Sequence, residues 1–171
     1  MPESARLAAL RRYRILDTEP EEAFDRIVHL ARALFDMPVA LVSLIDERRQ
    51  WFKARAGIAV TETPRSWAFC NHAIQQTDPM IVRDARSDPR FADNPLVMGS
   101  PYVRFYAGAP IRAPNHEAIG TVCVLSPDPD MPFSAIDEGR LASLAGIVSH
   151  ELELRLAVRR SERYAANLEI L

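Results

Sequence analysis

Val103-Arg104-Phe105-Tyr106-Ala107-Gly108-Ala109-Pro110-Ile111-Arg112 is followed, after a short polar break, by Ala118-Ile119-Gly120-Thr121-Val122-Cys123-Val124-Leu125. The first run alternates aromatic and small residues; the second is apolar and β-branched. Asn115-His116-Glu117 between them is long enough for a hairpin turn and too short for a crossover helix. The pair reads as two adjacent antiparallel strands at the centre of a sheet. Phe105, Ala107, Ala109 and Ile111 share one strand face; Arg104, Tyr106 and Gly108 share the other. Which face meets a pocket is left open by the pattern. Small residues at 107, 108, 109 and 120 mark a close backbone approach or room left for another group.

Upstream, residues 3–16 carry Leu7, Leu10 and Ile15 among arginines, as in a short amphipathic helix. Thr18-Glu19-Pro20-Glu21 reads as a helix start, with Thr18 capping and Pro20 in the first turn. Phe24, Ile27, Ala31, Leu34 and Phe35 continue that helix to about residue 36. Val39–Ile45 and Gln50–Ala56 form a first hairpin around Asp46-Glu47-Arg48-Arg49, and residues 58–65 read as irregular. Trp67, Cys70, Ala73 and Ile74 predict one apolar face on a helix over 66–76. Pro79–Asp84 reads as a short edge strand. Residues 85–101, rich in proline and turn residues, form a long loop with helical turns expected around 91–93.

Downstream of the hairpin, Ser134 with Asp137 three residues on opens the last helix. Leu141, Leu144, Ala145, Val148 and Leu152 give it a buried face. Beyond residue 153 the spacing changes to Leu154, Ala157, Ser161, Tyr164, Leu168 and Leu171, a heptad seam flanked by acids and arginines. That seam predicts a coiled-coil contact; the alternative is a solitary solvated helix.

The 171 residues suit one domain with an appendage. The division expected is a helical segment at 1–17, a domain at 18–153 and a helical linker at 154–171. A net charge of −2 argues against nucleic-acid or acidic-membrane partners. No apolar run is long enough to span a bilayer, and the first residues lack a secretory layout. The two cysteines make no disulfide framework, so a cytoplasmic protein with free thiols is the expectation.

Six words occur in an order that resembles the GAF domain family, above all GAF domains of bacterial sensor kinases and diguanylate cyclases. They are Arg49-Gln50-Trp51-Phe52-Lys53, Ser66 through Ile74, Val82-Arg83-Asp84-Ala85-Arg86, Asp88-Pro89-Arg90-Phe91, Arg104 through Pro110, and Ile119 through Val124. Together they cover about residues 15–155. The resemblance implies an α+β fold, GAF/PAS-like: an antiparallel sheet of five to six strands. Terminal helices lie on one face; a pocket-covering helix and loop lie on the other. It implies a sensory module that binds a small ligand or partner and forms a homodimer through its terminal helices. The signal would pass through the last helix to an output domain, a kinase or cyclase, expected beyond this chain in a longer protein.

The expected pocket wall is Trp67, Cys70, Asn71 and His72 from the covering helix, Asp84 and Arg86 after the edge strand, Phe91 and Asn94 in the loop, and Tyr102, Arg104 and Tyr106 from the hairpin. Free cysteines are mostly buried packing groups, so Cys70 and Cys123 read as core. The four histidines are scattered, and no metal or other cofactor is expected. Asn71 separates Cys70 from His72, unlike the bilin-attaching members of the family. Phe133-Ser134-Ala135-Ile136-Asp137-Glu138 matches half of a cyclic-nucleotide-binding signature, but the preceding strand ends Leu125-Ser126-Pro127 without its Asn-Lys pair. A non-catalytic regulatory domain is the first reading. A free methionine sulfoxide reductase-type enzyme and a ligand-free dimerisation module stay open beside it.

Overall fold

In the computed structural model, which describes residues 2–170, the expected hairpin is β5 (Phe105–Arg112) and β6 (Ala118–Ser126). The two pair antiparallel from Phe105 opposite Ser126 to Arg112 opposite Ala118, with Ile119 bulged out near the turn. The other strands are β1 (Val39–Ile45), β2 (Arg49–Ala56), β3 (Glu62–Pro64) and β4 (Met80–Val82). The sheet order is β3-β2-β1-β6-β5-β4, and every neighbouring pair is antiparallel. The six strands and their helices make the α+β class expected from the sequence. Strand β3 is a departure, because residues 58–65 read as irregular. Three residues ending in proline show no alternation, and the strand exists through its pairing with Arg49–Trp51 of β2.

Helices α1 (Glu3–Arg12), α2 (Glu22–Phe35) and α5 (Ala135–Ile170) pack on one face of the sheet. Phe105, Ala107, Ala109 and Ile111 point into this layer with Ile119, Val122 and Val124. The opposite face carries Leu41, Phe52, Tyr106, Cys123 and Leu125. It is covered by α3 (Cys70–Ala73), by the segment from 83 to 103, and by α4 (Pro95–Met98) within it. The Tyr106 side of β5 is therefore the covered side, which alternation alone left open.

The covering helix is shorter than the 66–76 expected. Residues 65–67 form a 3₁₀ turn, Ala68 is extended, and helix resumes only for four residues. The apolar spacing reflects two turns dipping toward the sheet, and Trp67 ends up exposed. In the long loop the helical residues are 85–87 and 95–98 rather than 91–93, which form a turn.

Thr18 does not cap α2. Its hydroxyl donates to the Ile15 carbonyl and accepts from Lys53, and the helix begins at Glu22. Glu21 at the cap position turns its carboxylate to Lys53 and Arg155 instead of to the helix. The box at Ser134 does form: Ser134 Oγ accepts from the Asp137 N–H, and Asp137 accepts from the Ser134 N–H.

Helix α5 runs 36 residues, about 54 Å at the usual rise. Its burial continues to Leu156, past the expected boundary at 153; every described residue from 157 onward is exposed. The last member of the seam, Leu171, lies outside the described residues. No described helix is long and apolar enough to cross a membrane.

Candidate functional site

Two structural arrangements stand out: a sulfur-centred cluster under the covering segment, and an ion-pair cluster where α5 leaves the body.

Cys70 and Cys123, 53 residues apart in sequence, bring their sulfurs to 3.9 Å in the buried layer. The Tyr106 hydroxyl donates to Cys70 Sγ at 3.1 Å and the Thr121 hydroxyl donates at 3.0 Å. Burial alone would raise the Cys70 pKa, but the hydrogen bonds from Cys123, Thr121 and Tyr106 outweigh it and hold the thiol at about 7. The hydrogen bond to Cys70, with burial, pushes Cys123 well above the ordinary thiol value. Burial first, then the neighbouring sulfurs, pushes Tyr106 up as well. Of the two, Cys70 is therefore the more readily ionised thiol and Cys123 the less. Ser43 and Gln50 stand behind it, with Ser43 donating to Gln50 Oε1 and Gln50 donating to Thr63.

A cavity of about 30 Å³ is lined by Cys70, Cys123, Tyr106, Phe52, Phe69 and Val103. It has room for about two waters. Aromatic rings fill the remaining space. Phe69 stacks on Phe91 at 4.1 Å and tilts against Tyr106 at 5.2 Å, and His72 meets Phe91 edge-on at 5.0 Å. Burial, and then the Arg90 charge, lower the His72 pKa, favouring the neutral ring.

Of the residues expected to line a ligand pocket, the structure brings together Cys70, Phe91 and Tyr106, with His72 at their edge. The others are placed apart. Trp67 is exposed and only its carbonyl is used, accepting from Asn94 Nδ2. Asn94 also caps α4 through Leu96 N–H. Asn71 accepts from Arg65. Asp84 caps the turn at 85–87 and pairs with Arg86 at the surface. Arg104 donates to the Val97 carbonyl, and Tyr102 is exposed beside it. These residues tie the loop down and do not reach the cavity. Cys123, which read as core, belongs to the cluster together with Thr121, and it faces Cys70 across the covered layer, an arrangement the reductase-type reading of the sequence allows.

The second cluster surrounds Glu21. Strand β2 bulges so that Lys53 has no partner on β1. The bulge sends its ammonium to Thr18, the Glu19 carbonyl and Glu21. Arg155 of α5 reaches Glu21 with Nε at 2.9–3.0 Å and donates Nη1 to the Tyr13 carbonyl. Burial opposes ionisation of Glu21, yet Lys53 and Arg155 hold its carboxyl below the usual range. Two residues earlier on α5, Glu153 accepts from Arg12 and the Tyr13 hydroxyl. Arg12, Tyr13 and Glu21 therefore grip α5 at Glu153 and Arg155, with Lys53 holding Glu21 in place. Among the described residues there is no group of His, Cys, Asp and Glu able to hold a metal.

This sheet, with its helical layer and covered face, is the architecture of a GAF domain, and the GAF domain model matches residues 19–152. The chain belongs to the GAF domain family. It is 37% identical over 162 residues to the cyclic di-GMP phosphodiesterase PA2567 of Pseudomonas aeruginosa, a match covering 95% of this chain and 27% of that protein. The chain thus spans about a quarter of that relative's length. Among solved structures it is similar to the GAF domain of an Acinetobacter phosphoenolpyruvate-protein phosphotransferase, with a TM-score of 0.67, 22% identity, and coverage of 92% of this chain and 98% of that one. It is also similar to the free methionine-R-sulfoxide reductase of Neisseria meningitidis, with a TM-score of 0.62, 18% identity and coverage of 95% of each.

Proposed function

We propose that this GAF domain is a regulatory input module of a signalling protein, relaying the state of its covered face to an output domain through α5. The grip of Glu21, Arg12 and Tyr13 on Glu153 and Arg155 carries the reading. Arg12, Tyr13 and Glu21 bind Glu153 and Arg155 directly where the helix leaves the body, and Lys53 of β2 reaches the helix only through its ion pair with Glu21. A change in the sheet has a direct mechanical route into the exposed part of α5. A relay requires two arrangements of that helix, stabilised differently by what the domain binds. The 37% identical relative supports cyclic-dinucleotide turnover as the class of output.

The small effector or partner acts at the covered face. With a cavity of about 30 Å³, an organic ligand enters only if the short segments at 65–76 and 95–103 swing away. Exposed Ile147, Leu154, Val158, Tyr164 and Leu168 line α5, with Leu30 and Leu34 exposed on α2. They supply the seam for a homodimer.

Hydrogen exchange tests the relay. Glu21→Ala should speed exchange at residues 150–165 as well as around its own position. Unchanged exchange along that stretch in a folded variant would overturn the relay.

A further inference from the structure

We infer that Cys70 and Cys123 form a peroxide-reactive dithiol that closes to an intramolecular disulfide inside the domain. The inference is independent of the relay through α5. Three observations meet at one place. The sulfurs lie 3.9 Å apart, already in contact, so a bond of ordinary length needs them to approach by only about 1.9 Å. Two hydroxyl donors, Tyr106 and Thr121, converge on Cys70, and Cys123 meets it through the sulfur–sulfur contact. The cavity of about 30 Å³ is lined by both cysteines. Its volume, room for about two waters, admits a molecule the size of hydrogen peroxide without movement of the covering segment.

The asymmetry assigns the roles. Cys70, favoured as thiolate, attacks one peroxide oxygen; the S–O bond forms as the O–O bond breaks, and hydroxide leaves to be protonated as water. Cys70 is then a sulfenic acid. Cys123 next attacks the Cys70 sulfur, forming the S–S bond as the S–O bond breaks. Its proton leaves with the hydroxide as a second water. In sum two thiols and one hydrogen peroxide give one disulfide and two waters, the thiols supplying both electrons. Closure is mechanically feasible because Cys70 opens a helix of only four residues after an extended Ala68, whereas Cys123 sits in the centre of the sheet. The covering segment moves and the sheet does not.

The experiment treats the reduced chain with hydrogen peroxide and follows its intact mass and non-reducing peptide map. The expected product has lost two hydrogens, contains a linked Cys70–Cys123 peptide pair, consumes one equivalent of peroxide and reverts with dithiothreitol. Cys123→Ala should stop at a Cys70 sulfenic acid trapped by dimedone, and Cys70→Ala should leave Cys123 unlabelled. Tyr106→Phe should slow the reaction up to about tenfold at neutral pH through the lost thiolate fraction. Free methionine sulfoxide should give no product. A mass unchanged at peroxide levels that oxidise free cysteine would overturn the inference. So would addition of oxygens without a linked peptide pair, or a disulfide formed only between chains. The measurements on the unsubstituted chain stand even if a cysteine variant fails to fold.

Discussion

Tyr106 and Gly108 share a single space on the covered face of β5: a Cβ built on Gly108 would lie 2.1 Å from the Tyr106 hydroxyl oxygen and 2.7 Å from its ring carbon Cζ. The tyrosine folds back over the glycine to reach Cys70. The missing side chain at 108 is therefore what places a hydroxyl on the sulfur.

Gly108→Ala should expel the Tyr106 hydroxyl from this position. Overpacking of this kind costs about 1–3 kcal/mol. The expected result is a lower urea midpoint together with slower alkylation of Cys70 near neutral pH. A double-mutant cycle with Tyr106→Ala should show strong coupling; additive effects would contradict the shared space.

The two hydroxyls should depress the Cys70 pKa separately. Tyr106→Phe and Thr121→Val should each raise the pH midpoint of thiolate absorbance or of alkylation from about 7 toward the ordinary thiol value. Identical midpoints in the variants and the parent would remove the hydrogen-bond explanation.

Substitutions around Glu21 should differ sharply in cost. Glu21→Ala leaves Lys53 and Arg155 uncompensated, a loss of about 3 kcal/mol, the lower end for a broken buried pair because Glu21 is part-exposed. Arg159→Ala removes a half-exposed partner at 4.0 Å and should cost about 0–1 kcal/mol. Denaturant unfolding separates the two; equal effects would mean that Glu21 is not the centre of the grip.

Acid should loosen the same contacts. Arg6 and Arg65 lower Glu3 to about 2 from an ordinary 4.5, Arg12 lowers Glu153, and Lys53 with Arg155 lower Glu21. Carboxyls depressed in the folded state bind fewer protons there than when unfolded. Their contribution is complete above about 4.5 and falls away as pH drops toward about 2. The urea midpoint should decline across that window, less steeply in Glu3→Gln.

The exposed seam of α5 should govern association and leave the body intact. Leu168→Asp is expected to shift the chain toward monomer in sedimentation equilibrium while the melting of the body stays within a few degrees. A dimer unaffected by Leu168→Asp and by truncation after residue 156 would place the contact elsewhere.

Much of this architecture is local and can be read before any coordinates. The hairpin at 103–125 follows from period-two alternation, a short polar turn and β-branched residues. The start of α5 follows from Ser134 and Asp137 three residues apart, which close a reciprocal cap without tertiary help. The change of spacing after residue 153 marks where α5 stops facing the sheet, although burial continues to Leu156. Each of these signals lies within one or two turns of chain, where backbone geometry alone relates spacing to direction.

The tertiary structure decided the rest. Strand β3 exists through pairing with β2, and the covering segment breaks into two turns because the sheet draws in Phe69 and Cys70 while leaving Trp67 outside. The Cys70–Cys123 contact and the Glu21–Arg155 pair join residues 53 and 134 positions apart. Nothing in their local sequence encodes those distances. They arise from strand order, from the bulge that re-aims Lys53, and from the register that sets Gly108 opposite Cys123. Periodicity shows which face a side chain occupies; only the packing of whole elements determines what waits for it there.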